Sequence, residues 1–268
     1  MKTLICLALA ATLPIGSATH AQEKNKPKPF TNSIGMKFVW IRPGAFMMGS
    51  PKGEKKRYDN ETQHKVTLSK GFYMSVYTVT QEQWKEIMGN NSSAFKGEKN
   101  LPMESVSWND CQEFVKKLRK KDNKPYRLPT EAEWEFSCRA GTRTPFYFGE
   151  MISTDRANYN GTIGWSFGLG NKGVYREKTT PVGTFPANAW GLYDMHGNVS
   201  QWCQDWYGDY PQKDVVDPQG PDKGKFRVLR GGTWFSHPGY CRSSCRFRNE
   251  PGNRTLGVSG FRLCFFVE

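Results

Sequence analysis

Between Gly141 and Ala189 the sequence carries neither the period of an amphipathic helix nor the alternation of a surface strand. A stretch of that length without a repeat has to be an ordered loop region or a functional surface, so the fold must hold irregular backbone in place by side-chain packing. Composition agrees: aromatics make up 14% of the chain and glycines number 27, which suits short strands and loops pinned by rings. Helical patterning is confined to three places, each opening on a hydroxyl N-cap with an acid or amide three residues on. These are Thr80 with Gln83, Ser107 with Asp110 and Thr130 with Glu133. Trp84, Phe114, Leu118 and Trp134 fall on the apolar faces of these helices. Residues 34–50 alternate, break at Pro43-Gly44 and resume, which predicts two short strands, and 66–68 and 72–77 continue the β pattern.

At the start, Lys2 precedes an apolar run from Leu4 to Ile15 and small residues up to Ala21. This predicts a signal peptide over 1–21, an exposed Pro- and Lys-rich leader over 22–30 and one domain over 31–268. The expected protein is exported, periplasmic or extracellular, and a monomer. No segment approaches the roughly 20 apolar residues a membrane span needs. The net charge of +13 would suit acidic glycans, sulfated polymers or anionic lipid, while no nucleic-acid signature accompanies it. Removing Cys6 with the signal peptide leaves Cys111, Cys138, Cys203, Cys241, Cys245 and Cys264, an even set that favours three disulfides in an oxidising compartment.

In chain order the motifs are Phe46-Met-Met-Gly49, Val79-Thr-Gln-Glu-Gln-Trp84, Val106-Ser-Trp-Asn-Asp110, Arg127-Leu-Pro-Thr-Glu-Ala-Glu-Trp-Glu135, Gly191-Leu-Tyr-Asp-Met-His-Gly-Asn198, Arg230-Gly-Gly-Thr-Trp234 and Gly260-Phe-Arg262. Together they resemble the formylglycine-generating enzyme, or sulfatase-modifying factor, family across almost all of residues 31–268. The resemblance implies an α+β domain: the formylglycine-generating-enzyme variant of the C-type-lectin-like fold, low in regular secondary structure and disulfide-stapled. It also implies the pairings Cys111 with Cys264 and Cys138 with Cys245, leaving Cys203 to pair with Cys241.

The chemistry implied is oxygen-dependent conversion of a sulfatase cysteine to formylglycine, using copper(I) held by two thiolates, a soft donor set suited to that ion. The family's two cysteines fall here on Ser236 and Cys241, with Thr233 beside them. A hydroxyl is a hard, weakly acidic donor, so the resemblance carries over a vestigial site that lacks one of the two thiolates copper(I) uses in the family. Asp194, Gly197, Val199 and Gln201 match positions that hold a structural calcium in the family, with Gln201 where an acid is usual.

Two functions from different classes follow. One is a binding or accessory protein that recognises a protein or peptide client, or an anionic glycan, through Trp234, His237, Arg242 and Arg246. A similar Arg-Gly-Gly-Thr-Trp segment occurs on this fold in hypervariable ligand-binding proteins. The alternative is an active oxidase that tolerates Ser236. A third chemistry, non-haem iron as in the related ergothioneine sulfoxide synthases, needs a histidine cluster, and only His64, His196 and His237 remain after the leader.

Overall fold

The computed structural model describes residues 27–98, 100–163 and 168–266. The expected signal peptide and residues 22–26 of the leader lie outside them. Among the described residues no helix is long and apolar enough to cross a membrane.

Three small sheets carry the domain. The first orders β1 (Phe30–Thr31), β2 (Lys37–Ile41), β5 (Phe72–Ser75) and β11 (Cys264–Phe265), joining both ends of the domain. The second pairs β3 (Gly44–Met48) with β4 (His64–Leu68), and β4 in turn with β7 (Val215–Val216). The third runs β10 (Ser259–Gly260), β6 (Ser200–Trp206), β8 (Arg227–Arg230) and β9 (Arg246–Asn249). The two strands expected around Pro43-Gly44 are present, but they belong to different sheets. Pro43 has no N–H to donate to a ladder, and the chain crosses to the second sheet, where a Cβ on Gly44 would already stand 3.1 Å from the Phe136 ring.

All three helices start where expected, α1 (Gln81–Met88), α2 (Trp108–Asp122) and α3 (Glu131–Arg139), and all three form complete reciprocal capping boxes. Asp110 works as well as a glutamate or glutamine would, because its Oδ2 accepts the Ser107 N–H at 2.9 Å. The helices end on left-handed residues, Gly89, Asn123 and Ala140, whose N–H groups return to the last turn. Trp84, Phe114, Leu118 and Trp134 are buried, as the apolar faces predict. Trp84 stacks on Phe114 at 5.4 Å, and Phe261 meets both edge-on, tying α1 and α2 to the segment that leads into β11.

Most of the 141–189 region is irregular and has its own small core of Phe146, Ile152, Ala157, Tyr159 and Leu169, into which Cys241 also packs. Packing of rings under loops therefore replaces regular structure here, as the composition implies.

The α+β class holds, but the staples do not appear: all six cysteines are buried, unbridged thiols. Two of the three expected pairs are split between apolar clusters. Cys111 packs in the core of α1 and α2, while Cys264, on β11 beside β5, packs with Cys138 and Cys203. Cys203 is likewise in a different apolar cluster from Cys241. The thiols that influence one another are Cys241 with Cys245 and Cys203 with Cys264, neither of which is an expected pair.

Candidate functional site

The segment after β8 is shaped by close approach. A Cβ on Gly232 would stand 2.7 Å from the Cys241 Sγ, and Gly232 has φ of 73°. Only glycine combines that conformation with that proximity. The chain then turns through Thr233 and Ser236 into a short 3-10 turn, Pro238–Cys241, and on to β9. The Thr233 N–H donates to the Ser236 Oγ at 3.0 Å, the two hydroxyls lie 2.9 Å apart, and the Ser236 carbonyl accepts the Asn160 N–H at 3.0 Å. The Thr233 N–H also faces the Cys241 thiol.

Thr233, Ser236 and Cys241 are thus brought together, as the resemblance implies, but under the surface instead of on an open groove. Their exposures are 3%, 6% and 0%. Burial, and secondarily the neighbouring Cys245, pushes the Cys241 thiol far up. Burial likewise pushes Cys245 up to about 12. The oxygen at position 236 is a hydroxyl committed to Thr233, so one of the two sulfurs of the family's pair is missing. This donor set does not fit copper(I), which needs two thiolates.

Two of the four residues expected to bind a partner brace the fold instead. Arg242 is fully buried and grips Glu61 with two parallel bonds, 2.8 Å to Oε2 and 2.7 Å to Oε1, with Glu54 a further 2.6 Å away. Arg246 grips Glu131 in the same way, at 2.6 and 2.7 Å, under the Tyr210 ring. Arg230 is fully buried too, bonded to Glu135 and to the Ser243 and Cys245 carbonyls. Such fork-shaped pairs are the geometry arginine favours, and here they are spent inside the molecule.

What remains near the surface is aromatic. Trp234 donates to the Gly257 carbonyl at 2.7 Å, stacks on Tyr175, and meets Phe95 and Phe235 edge-on. His237 lies against the Tyr240 ring, which stacks on Tyr58. Phe235 and Tyr58 are 43% and 38% exposed. Sequence reasoning missed Phe95, Tyr175, Phe235 and Tyr58; the only available signal was the aromatic pair Trp234-Phe235, and the others come from distant loops.

Part of the expected calcium set is already engaged within the protein, and Gln201 Nε2 donates to the Asp194 carbonyl at 2.9 Å. Both available sides of the Gln201 Oε1 are taken, by Trp134 Nε1 and Arg262 Nε, each at 2.7 Å. The fully buried Arg262 guanidinium also donates to the Ser75 and Tyr193 carbonyls, so a fixed positive charge already occupies this network. Asp194 keeps one oxygen on the Gly183 N–H at 2.8 Å, while its other buried oxygen has no partner, and burial lifts the group to about 6. Gly197 donates to the Gly231 carbonyl at 2.7 Å, and Val199 is buried. Among the described residues no group of His, Cys, Asp and Glu gathers at metal-holding distance.

His196 serves as a strut. Its Nε2 accepts the Tyr147 N–H at 3.1 Å, so its Nδ1 carries the proton and donates to the Cys241 carbonyl at 2.7 Å. Phe146, Tyr147 and Phe148 surround the ring, and burial holds it down at about 3. A depressed histidine contributes stability that is fully present above its unfolded value, about 6.5, and is lost as pH falls toward 3. His196→Asn, which cannot charge, is expected to lose about 2 kcal/mol less than wild type between pH 7 and 4.5. Urea melts at the two pH values check this; equal losses would assign the acid limb to other groups.

A sheet-dominated α+β domain with loop-borne cores and this turn after β8 defines a recognisable fold class. The chain belongs to the FGE-sulfatase family: the model of the sulfatase-modifying factor enzyme 1-like domain matches residues 23–265. Among its relatives, the formylglycine-generating enzyme of Mus musculus is 35% identical over 185 residues, 67% of this chain and 48% of that protein. The serine/threonine-protein kinase pkn1 of Chlamydia pneumoniae is 34% identical, covering 94% of this chain, which spans only 42% of the kinase. The chaperone protein LppX of Paenibacillus barcinonensis is 30% identical over 88% of this chain and 89% of its own length. Among solved structures, Treponema denticola variable protein 1 superposes with a TM-score of 0.76 at 28% identity, covering 90% of this chain and 99% of that one.

Proposed function

We propose that this chain is an exported, non-oxidising member of the family that acts by binding a protein client, as an accessory to that client's maturation or folding. One observation carries the reading: the Ser236 hydroxyl stands where a second thiolate would be needed and is bonded to Thr233, beside the buried Cys241. The match to a chaperone protein over nearly its whole length supports the accessory role. The export part of the reading rests on the first 21 residues of the sequence.

The test is a copper(I) competition titration together with mass spectrometry of a Cys-x-Pro-x-Arg peptide after incubation with copper and oxygen. Wild type is expected to lose to a strong copper(I) chelator and to leave the peptide mass unchanged. Ser236→Cys, which restores a second thiol beside the unbridged Cys241, is expected to gain copper(I) affinity, since coordination releases the thiol protons. Loss of sulfur from the peptide with wild type would overturn the reading. So would tight copper(I) binding abolished by Cys245→Ser, which would make Cys241 and Cys245 a working pair.

A further inference from the structure

A cleft with a volume of 590 Å3 lies away from Ser236, between the β3 edge and the end of α3. That is within the range of ligand-binding pockets, roughly 300–1,000 Å3. Its floor is the tilted pair Phe46 and Phe136, rings 5.2 Å apart, and its rim carries Lys65 and Arg143. Both cations are exposed and neither forms an ion pair among the described residues. No acidic side chain lines this cleft.

The same is true of a second cleft of 320 Å3, where Lys28 and Arg42 accompany Trp40 and Trp190. The two share a wall, since the Trp190 ring meets Phe136 edge-on at 4.8 Å. Other clefts differ in this respect: Glu82 and Glu98 line one, Glu82 and Glu86 a second, and Glu131 and Asp205 a third. One face of the molecule is therefore apolar at its base and uniformly positive at its rim.

Two further observations select the ligand. Strand β3 is the edge of its sheet, paired only with β4, and its Met47 is 38% exposed beside the cleft. An unpaired strand edge can take up an extended peptide through main-chain hydrogen bonds. A hydroxyl-rich sugar would instead need many acceptors, and the larger cleft offers only Gln63 and Thr142 as neutral polar side chains.

We propose that this face binds an extended, acidic segment of a client protein, added beside β3, with apolar side chains on Phe46 and Phe136 and carboxylates at Lys65 and Arg143. The proposal deepens the client-binding role above and rests on it for the class of partner. It is tested separately, because neither the cleft nor its ligand involves Ser236 or Cys241.

Fluorescence anisotropy with a labelled decapeptide of alternating valine and glutamate provides the test. Wild type is expected to bind it, to ignore the valine and lysine analogue, and to weaken as salt rises. Lys65→Glu with Arg143→Glu should lower affinity by roughly tenfold or more. Lys117→Glu with Lys223→Glu changes the net charge equally at exposed sites elsewhere, and should leave binding within about twofold. Absence of wild-type binding, or equal loss in the two double variants, would overturn the proposal. Displacement of the peptide by hyaluronate at matched charge concentration would overturn it as well, in favour of a general polyanion surface. In none of these cases would the copper and peptide-oxidation results change.

Discussion

Arg242→Met is expected to remove about 3–5 kcal/mol of folding stability, the usual consequence of taking one partner from a buried ion pair. The cost comes from the charges that would be left behind. Arg242 is fully buried and neutralises Glu61 and Glu54, both in its hydrogen-bonding reach, while also bonding the Lys56 carbonyl and Ser244. Glu61 is held below the ordinary carboxylate range by that pairing, against its own burial, whereas Glu54 is already lifted by burial. Without the guanidinium both acids would have to take up protons or draw in water. Methionine keeps the apolar stem, so the loss reports the charge more than the volume.

Arg254 provides the contrast. It makes an equally good two-pronged pair with Asp110 at 2.6 Å, but its side chain is 63% exposed. Arg254→Met should therefore cost no more than about 1 kcal/mol. Urea denaturation of both variants at constant salt checks the pair. Similar losses in the two would mean that Arg242 is not a brace, and would return it to the list of binding residues.

The second large effect concerns Asp205. This carboxyl is 4% exposed, accepts the Glu131 N–H at 2.8 Å at the start of α3, and is pushed up to about 8 by burial and then by the nearby Glu131 charge. In the unfolded chain it would titrate near 3.9. The folded state therefore keeps a proton that the unfolded state has already released, and stability must fall as pH rises from about 4 to about 8. Asp205→Asn retains an oxygen for the Glu131 N–H and carries no charge. Its advantage over wild type should grow across that interval by up to about 1.4 kcal/mol per unit, reaching several kcal/mol at pH 8. Because His196 slopes the other way below about 6.5, the quantity to measure is the difference between variant and wild type at pH 5 and pH 8. A difference that does not change with pH would mean that Asp205 is ionised in the folded protein throughout.

Both effects bear on how far the sequence can be read. The helix starts were legible because a capping box is local: Thr80, Ser107 and Thr130 find their partners three residues away, and the structure closes all three boxes. The burial of Trp84, Phe114, Leu118 and Trp134 followed from their spacing alone. So did the loop character of the 141–189 region, because no period is available to form an element.

The roles of Arg242 and Arg246 were not legible. Their partners Glu54, Glu61 and Glu131 lie more than 100 residues earlier, and an arginine among aromatics looks the same in sequence whether its counter-charge comes from a client or from another loop. Gln201 is similar. As a residue it offers a calcium ligand, but its oxygen is claimed by Trp134 and Arg262, from α3 and from the segment before β11.

The sequence by itself determined the family, the α+β class, the helix starts and the missing thiol at position 236, since these depend on residue identity and short-range spacing. Only the tertiary structure decided which charged groups are spent inside the molecule, that the six thiols stand unbridged, and that the basic, apolar face lies at the β3 edge. The physical reason is that burial and counter-charge are properties of neighbours in space, and long-range packing supplies those neighbours.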